Sequence, residues 1–158
     1  MAVFTVSKKL PSMDSYTVAD ANGAPLYSAK HHLGLTKEHW DIADADGSTV
    51  ATLTHERQHM HATFVITGQG LADAKLTKSN YLPLSETWTL DGGAGQATLK
   101  GDLADYQWSL TMPDGILTAT FVRKMVSLHR QYTVTVEGDP RVALAMAIAL
   151  DVDQEEHK

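Results

Sequence analysis

The sequence predicts a mainly β protein: a closed antiparallel barrel of about twelve strands wrapped around a buried C-terminal α-helix. Three observations carry that reading. Residues 139–153, DPRVALAMAIALDVD, are the one long apolar run, and no face of it is polar. Six aromatics, Tyr16, Trp40, Phe64, Trp88, Trp108 and Tyr132, each open a short alternating segment; they recur every 24 residues, with 20 between Trp88 and Trp108. A glycine-containing turn usually follows within the segment.

Each repeat reads as a β-hairpin. Asn22-Gly23 and Asp46-Gly47 are two-residue turn signals. Gly68-Gln69-Gly70, Gly92-Gly93 and Asp114-Gly115 suit looser turns. The first five repeats supply two strands each, Tyr132–Glu137 an eleventh and Val3–Val6 a twelfth. In the terminal apolar run, Val142, Leu144, Met146, Ile148, Leu150 and Val152 alternate with alanines, which suits a strand as well as a helix. Alanine decides for helix, being the best helix former and depleted in strands. Asp139 is a good N-cap and Pro140 suits the first helical position. A helix apolar on all sides must be buried on all sides. A barrel of about eight strands is filled by side chains alone, whereas twelve leave space for a helix 10–12 Å across. A β-propeller is the competing arrangement, but four-stranded blades need about twice this repeat length. The six aromatics are expected as core and cross-strand packing residues.

The 158 residues suit one domain, 1–158, with strands over about 3–137 and the helix over about 139–152. Without cysteine there is no disulfide framework, zinc–thiolate site or thiol nucleophile. The N-terminal MAVFTVSKKLPSM lacks the order of a signal peptide, and no run reaches transmembrane length, so a cytoplasmic location is expected. A net charge of −6 argues against general nucleic-acid binding.

The segments YTVADANGAPLY, WDIADADGSTVATL, GDLADYQWSL and YTVTVEGDPRVALAMAIALDVD resemble the LURP-one-related family, over about residues 3–153. That family is grouped with the tubby C-terminal domain and the phospholipid scramblases. The resemblance implies a twelve-stranded barrel around a C-terminal helix. It implies lipid contact by analogy: tubby domains bind phosphoinositides through basic residues, scramblases act at membranes, and plant members are linked to defence. It brings no catalytic motif and no cofactor.

His55-Glu56-Arg57-Gln58-His59 fits HExxH, which on a helix places two imidazoles on one face for zinc. Strand-like sequence on both sides leaves room for only about one turn, so a solvated connector is expected, with no tightly held zinc. His59 and His61 share a strand-like spacing that, with His55, suits at most an adventitious metal contact. Asp44-Ala45-Asp46-Gly47 lacks the ligand run of a calcium loop and reads as a turn. Gly92-Gly93-Ala94-Gly95 precedes neither lysine nor helix, so it is no phosphate loop.

Alternate turns of an antiparallel meander lie at the same end. The tight turns within repeats carry Asp20, Asp44, Asp46, Asp91 and Asp114, joined by Glu137 and Asp139. The connectors between repeats carry Lys8, Lys9, Lys30, Lys37, Arg57, Lys75, Lys78, Lys100, Arg123, Lys124 and Arg130 against six acids, an excess of about five positive charges. His31, His32, His39, His55, His59, His61 and His129 fall there too. The expected function is a non-enzymatic binding module. In it Lys8, Lys9, Lys30, Lys37, Arg123, Lys124 and Arg130 meet an anionic membrane surface or phospholipid head group. His31, His32, His55, His59, His61 and His129 then make that rim pH-sensitive, because an ordinary imidazole titrates near pH 6.5. A protein–protein interaction module without lipid contact is the alternative, and an unrecognised hydrolase or metal enzyme comes third.

Overall fold

The computed structural model describes residues 1–9, 15–57, 60–92, 95–126 and 129–156, the side chains of 9, 80, 81 and 126 excepted. The strands are β1 (Ala2–Lys9), β2 (Tyr16–Asp20), β3 (Pro25–Leu33), β4 (Lys37–Asp44), β5 (Thr49–Glu56) and β6 (Thr63–Thr67). They continue as β7 (Ala74–Leu82), β8 (Ser85–Gly92), β9 (Gly95–Asp102), β10 (Gln107–Thr111), β11 (Leu117–Val126) and β12 (His129–Val136), followed by α1 (Arg141–Glu156). Each strand pairs antiparallel with its sequence neighbours, and β1 pairs with β12 to close the barrel. Closure removes every free edge.

Period-2 alternation sorts side chains cleanly. The six repeat aromatics all point inward and are buried, one on each even-numbered strand. The odd strands β3, β5, β7, β9 and β11 contribute inward alanines: Ala29, Ala51, Ala74, Ala97 and Ala119. Small wall residues and the alanine-rich helix suit each other, because a thin helix and a shallow wall let the barrel fill without strain. Helix residues Ala143 through Asp153 are all buried, Leu144, Met146 and Ile148 completely. Apart from a polar layer near one rim, the wall is apolar within and carries Thr, Lys, His and Asp outside, for example Thr5, Lys30, Thr52 and Lys124. That is the inverse of a strand barrel whose outer face meets lipid. No helix is long and apolar enough to cross a membrane.

The first two tight turns differ from the expected two-residue form. Gly23 N–H donates to Asp20 O, and Asp20 N–H donates to Ala24 O. Asp20 Oδ1 also accepts from the N–H groups of Asn22 and Ala24, at 2.8 and 2.9 Å. Asp44 repeats the pattern with Asp46 and Ser48. Gly23 and Gly47 have φ of 86° and 85°, and the register shifts beside each turn. These are longer, bulged hairpins in which aspartate holds the loop and glycine supplies the left-handed residue. Asp114 accepts from Ile116 N–H in a third, and Asp139 caps the helix by accepting from Arg141 N–H. The acids of this rim thus include four that build backbone turns.

Gly101 faces the inside of β9 opposite Trp108, where an added Cβ would lie 2.5 Å from the indole Cδ1 and Nε1. Trp108 is buried and tied to Glu86, so it has no room to yield. Gly101→Ala is expected to destabilise the fold by about 1–3 kcal/mol through overpacking. Chemical denaturation checks this, with Gly23→Ala as a comparison in which strain arises from backbone φ and not from contact.

Candidate functional site: the connector rim

Because α1 enters at the tight-turn rim and crosses the barrel, its C-terminus emerges at the connector rim. There a layer of inward polar side chains replaces the aromatic layer. Asp151 is buried and accepts two hydrogen bonds from Arg130, Nε to Oδ1 and Nη2 to Oδ2, both 2.8 Å. The Tyr16 hydroxyl donates to Asp151 Oδ2 at 2.6 Å and the Tyr132 hydroxyl to Oδ1 at 3.3 Å. Arg130 also pairs with Glu155. Lys78 Nζ bridges Asp153 Oδ2 at 2.7 Å and Glu86 Oε2 at 3.0 Å, and Trp108 Nε1–H donates to Glu86 Oε1 at 2.8 Å. Glu38 is met by His31 Nε2 at 2.7 Å, His55 Nδ1 at 3.0 Å and Arg57 Nη2 at 2.7 Å.

Burial opposes charge throughout this layer, but the partners outweigh it. Asp151 is held below the ordinary carboxylate range by Arg130 and Tyr16 despite burial. Burial likewise opposes ionisation of Glu38, yet His55, Arg57 and His31 keep it low. Lys78 and Arg130 are raised, the desolvation that disfavours their charge being overcome by Asp153 and Asp151 respectively. Burial first, then the Asp151 charge, pushes Tyr16 and Tyr132 well above the usual phenol value. The layer also solves a helix problem. No basic residue lies in the last turn of α1, which ends in acids facing the wrong pole of the helix dipole. Arg130 and Lys78 reach in from the wall as the missing cations. With those acids paired, the helix runs to Glu156 and not only to about 152.

This arrangement changes the charge expected of the rim. Asp151, Asp153, Glu155 and Glu156 lie at the same end as the connectors, cancelling four of the five excess positive charges. Lys75 pairs across strands with Asp91 near the opposite rim, so it does not belong to the connector end. Arg130 is buried and engaged, so the structure corrects its expected place on an exposed basic surface: an inward strand position beside Asp151 puts it in the core. Lys30, Lys37 and Lys124 are exposed, Lys37 lying 3.8 Å from Glu56. Lys8 and Arg123 are half-buried, Lys8 Nζ 5.6 Å from the Tyr16 ring centroid and Arg123 Cζ 5.0 Å from that of Tyr106. The Lys9 side chain and His59 lie outside the described residues.

The histidines divide between the faces. His31 and His55 point inward to Glu38; His32 and His39 stack on the outer wall with ring centroids 4.7 Å apart. His61 is exposed and His129 half-buried. His55 belongs to β5 and is buried against Phe64, not placed on a solvated connector, while Glu56 points to the opposite face. The helical geometry that HExxH needs is absent at His55-Glu56.

The connectors carry a feature unread in the sequence. Leu33, Leu35, Met60, Leu82, Leu84, Tyr106 and Met125 are all exposed, Leu35 and Met60 almost fully, at 101% and 95%. They sit in or beside the connectors β3–β4, β5–β6, β7–β8, β9–β10 and β11–β12. On the same rim opens a cleft of about 210 Å³ lined by Lys8, His31, Arg57 and Glu156 among others. At the opposite rim the exposed large apolar residues among those described are Met1, Val3, Ile116 and Leu117.

A family model described as LURP-one-related matches residues 2–153, nearly the whole chain. No curated protein matches the sequence.

Proposed function

The chain belongs to the LURP-one-related family, and from that premise we propose that it is a non-enzymatic module that docks its connector rim on an anionic phospholipid surface. The carrying observation is the circle of exposed apolar side chains on five successive connectors of one rim. The tips of a closed barrel's loops define a plane, which suits a bilayer better than it suits a pocketed partner. Apolar tips would enter the boundary between head groups and acyl chains, gaining about 25 cal/mol per Å² buried. Lys30, Lys37, Lys100 and Lys124, exposed on the same half of the wall, add roughly 1 kcal/mol each near an anionic leaflet. The acidic rim opposes this little. Six-residue strands span about 20 Å before tilt, well beyond the roughly 8 Å Debye length at physiological salt.

Co-sedimentation with phosphatidylserine-containing vesicles tests the proposal. Binding is expected at pH 7 and is expected to weaken as salt is raised. Leu35→Asp with Met60→Asp is expected to abolish it, and Lys30→Glu with Lys124→Glu to reduce it at least tenfold. Absence of binding, with the same residues protected when a protein partner is added, would favour the protein-interaction alternative.

A further inference from the structure

On the outer wall, away from the rim's polar layer, three side chains converge that the proposed docking does not use. His32 and His39 face each other directly across β3 and β4, and Asp41 lies two residues beyond His39 on the same face. His32 Nε2 stands 3.3 Å from Asp41 Oδ2 and His39 Nε2 stands 3.6 Å from the same oxygen. The three donor atoms all lie within 4.8 Å of one another. Donors bound about 2.0–2.1 Å from a tetrahedral zinc stand roughly 3.3–3.4 Å apart, so the His32–Asp41 spacing already matches and the His39–Asp41 spacing is only slightly long. The imidazoles need only a small tilt to close the remaining gap between them. Both rings have freedom for it, with side-chain exposures of 51% and 42%.

We propose that His32, His39 and Asp41 form a surface site for one divalent transition-metal ion of the zinc class, with the carboxylate oriented by Thr52. The Thr52 hydroxyl donates to Asp41 Oδ1 at 3.0 Å, leaving Oδ2 turned to the histidines. Such an outer partner fixes the geometry of a ligating carboxylate. Two imidazoles with one carboxylate favour zinc, nickel, cobalt or copper over the oxygen-seeking magnesium and calcium. Three protein donors leave at least one coordination position for water or for a further ligand. A competing charge on this face is Lys30, the cross-strand neighbour of Asp41, and Lys37 and Glu56 pair with each other further along the same face. The other such donor group among the described residues, Glu38, His55 and Glu156, is a poorer cation site, because Arg57 already pairs with Glu38 Oε2 at 2.7 Å.

Calorimetric titration of the full chain with zinc chloride at pH 7.5 is expected to show one ion per chain, undisturbed by millimolar magnesium. His39→Ala and Asp41→Asn are expected to weaken the affinity more than tenfold and Thr52→Val about tenfold, while His61→Ala leaves it unchanged. On the unaltered protein, substoichiometric nickel or copper is expected to broaden amide resonances of residues 31–33, 38–42 and 51–53 first. No binding, an affinity indifferent to His39→Ala and Asp41→Asn, or broadening centred on His55 or His61 would each overturn the assignment. Because the spectra need no variant, a misfolded substitution does not decide the matter.

Discussion

Leu144→Asp is expected to leave a chain with no cooperative thermal transition. Leu144 is completely buried in the first turn of a helix that the barrel surrounds. Its replacement removes an apolar side chain, whose burial stabilises by about 1.5–3 kcal/mol, and inserts a carboxylate with no partner. The sum is comparable with the 5–15 kcal/mol that holds a domain together. Leu144 belongs to the contiguous cluster of buried apolar side chains, so an introduced charge meets apolar surroundings. Removal of residues 139–158 is expected to act the same way, since the inward faces of twelve strands would lose what they pack against. Near-ultraviolet circular dichroism during heating checks both. A soluble 1–138 fragment with a sharp melting transition would contradict the helix-centred core.

Arg130→Ala is the second large effect, at about 3–5 kcal/mol, or roughly 6–20 °C in Tm for a chain of this size. The cost lies less in the lost attraction than in what remains: Asp151 buried with only two tyrosine hydroxyls, and Glu155 released. The pH dependence gives the loss a signature. In the intact protein Asp151 is held below its ordinary value, so its contribution is present above the unfolded carboxyl pKa near 4 and fades as pH falls through the lower folded value. Without the guanidinium, burial is opposed only by the tyrosine hydroxyls and the Lys8 charge, so Asp151 is expected to shift upward. The deficit of the variant is therefore expected to be largest at neutral pH and to shrink as pH falls toward 4. Tyr16 and Tyr132 work at the other end: their raised pKa values give stability that is present below pH 10 and lost as the phenols ionise above it. Urea denaturation of both proteins from pH 4 to 8 measures the acid side.

The barrel was legible because its signals are local and repeated. An aromatic every 24 residues fixes the inward register of the even strands, and Asp139-Pro140 followed by alternating alanines fixes the helix. The turn chemistry was half legible: glycine marked each turn, but a single sequence does not show that Asp20 and Asp44 bulge the hairpins by accepting two backbone N–H groups each. The charge of the connector rim was misjudged for a topological reason. A helix crossing the barrel delivers Asp151, Asp153, Glu155 and Glu156 to the end opposite the one it enters. The buried polar layer around them had left a trace, since Glu38, Glu86 and Arg130 each stand two residues before an inward aromatic and so share its face. The apolar tips were equally open to reading. Leu33-Gly34-Leu35 and Leu82-Pro83-Leu84 are connectors with leucine where polar residues are ordinary.

Segregation of acids to the tight-turn rim has a simpler cause than ligand recognition. Asp20, Asp44, Asp114 and Asp139 are there to hold backbone N–H groups of their own turns and of the helix start. The functional weight therefore falls on the connector rim, where leucine and methionine have no comparable task in the fold. The absence of cysteine from the sequence allows that claim to be tested by single-site labelling. An environment-sensitive fluorophore on Leu35→Cys, Leu84→Cys or Asp46→Cys reports which end of the barrel meets the bilayer. With phosphatidylserine vesicles, a blue shift and protection from an aqueous quencher are predicted at positions 35 and 84 and neither at 46. Equal responses at all three, or a response at 46 alone, would contradict docking through the connector rim.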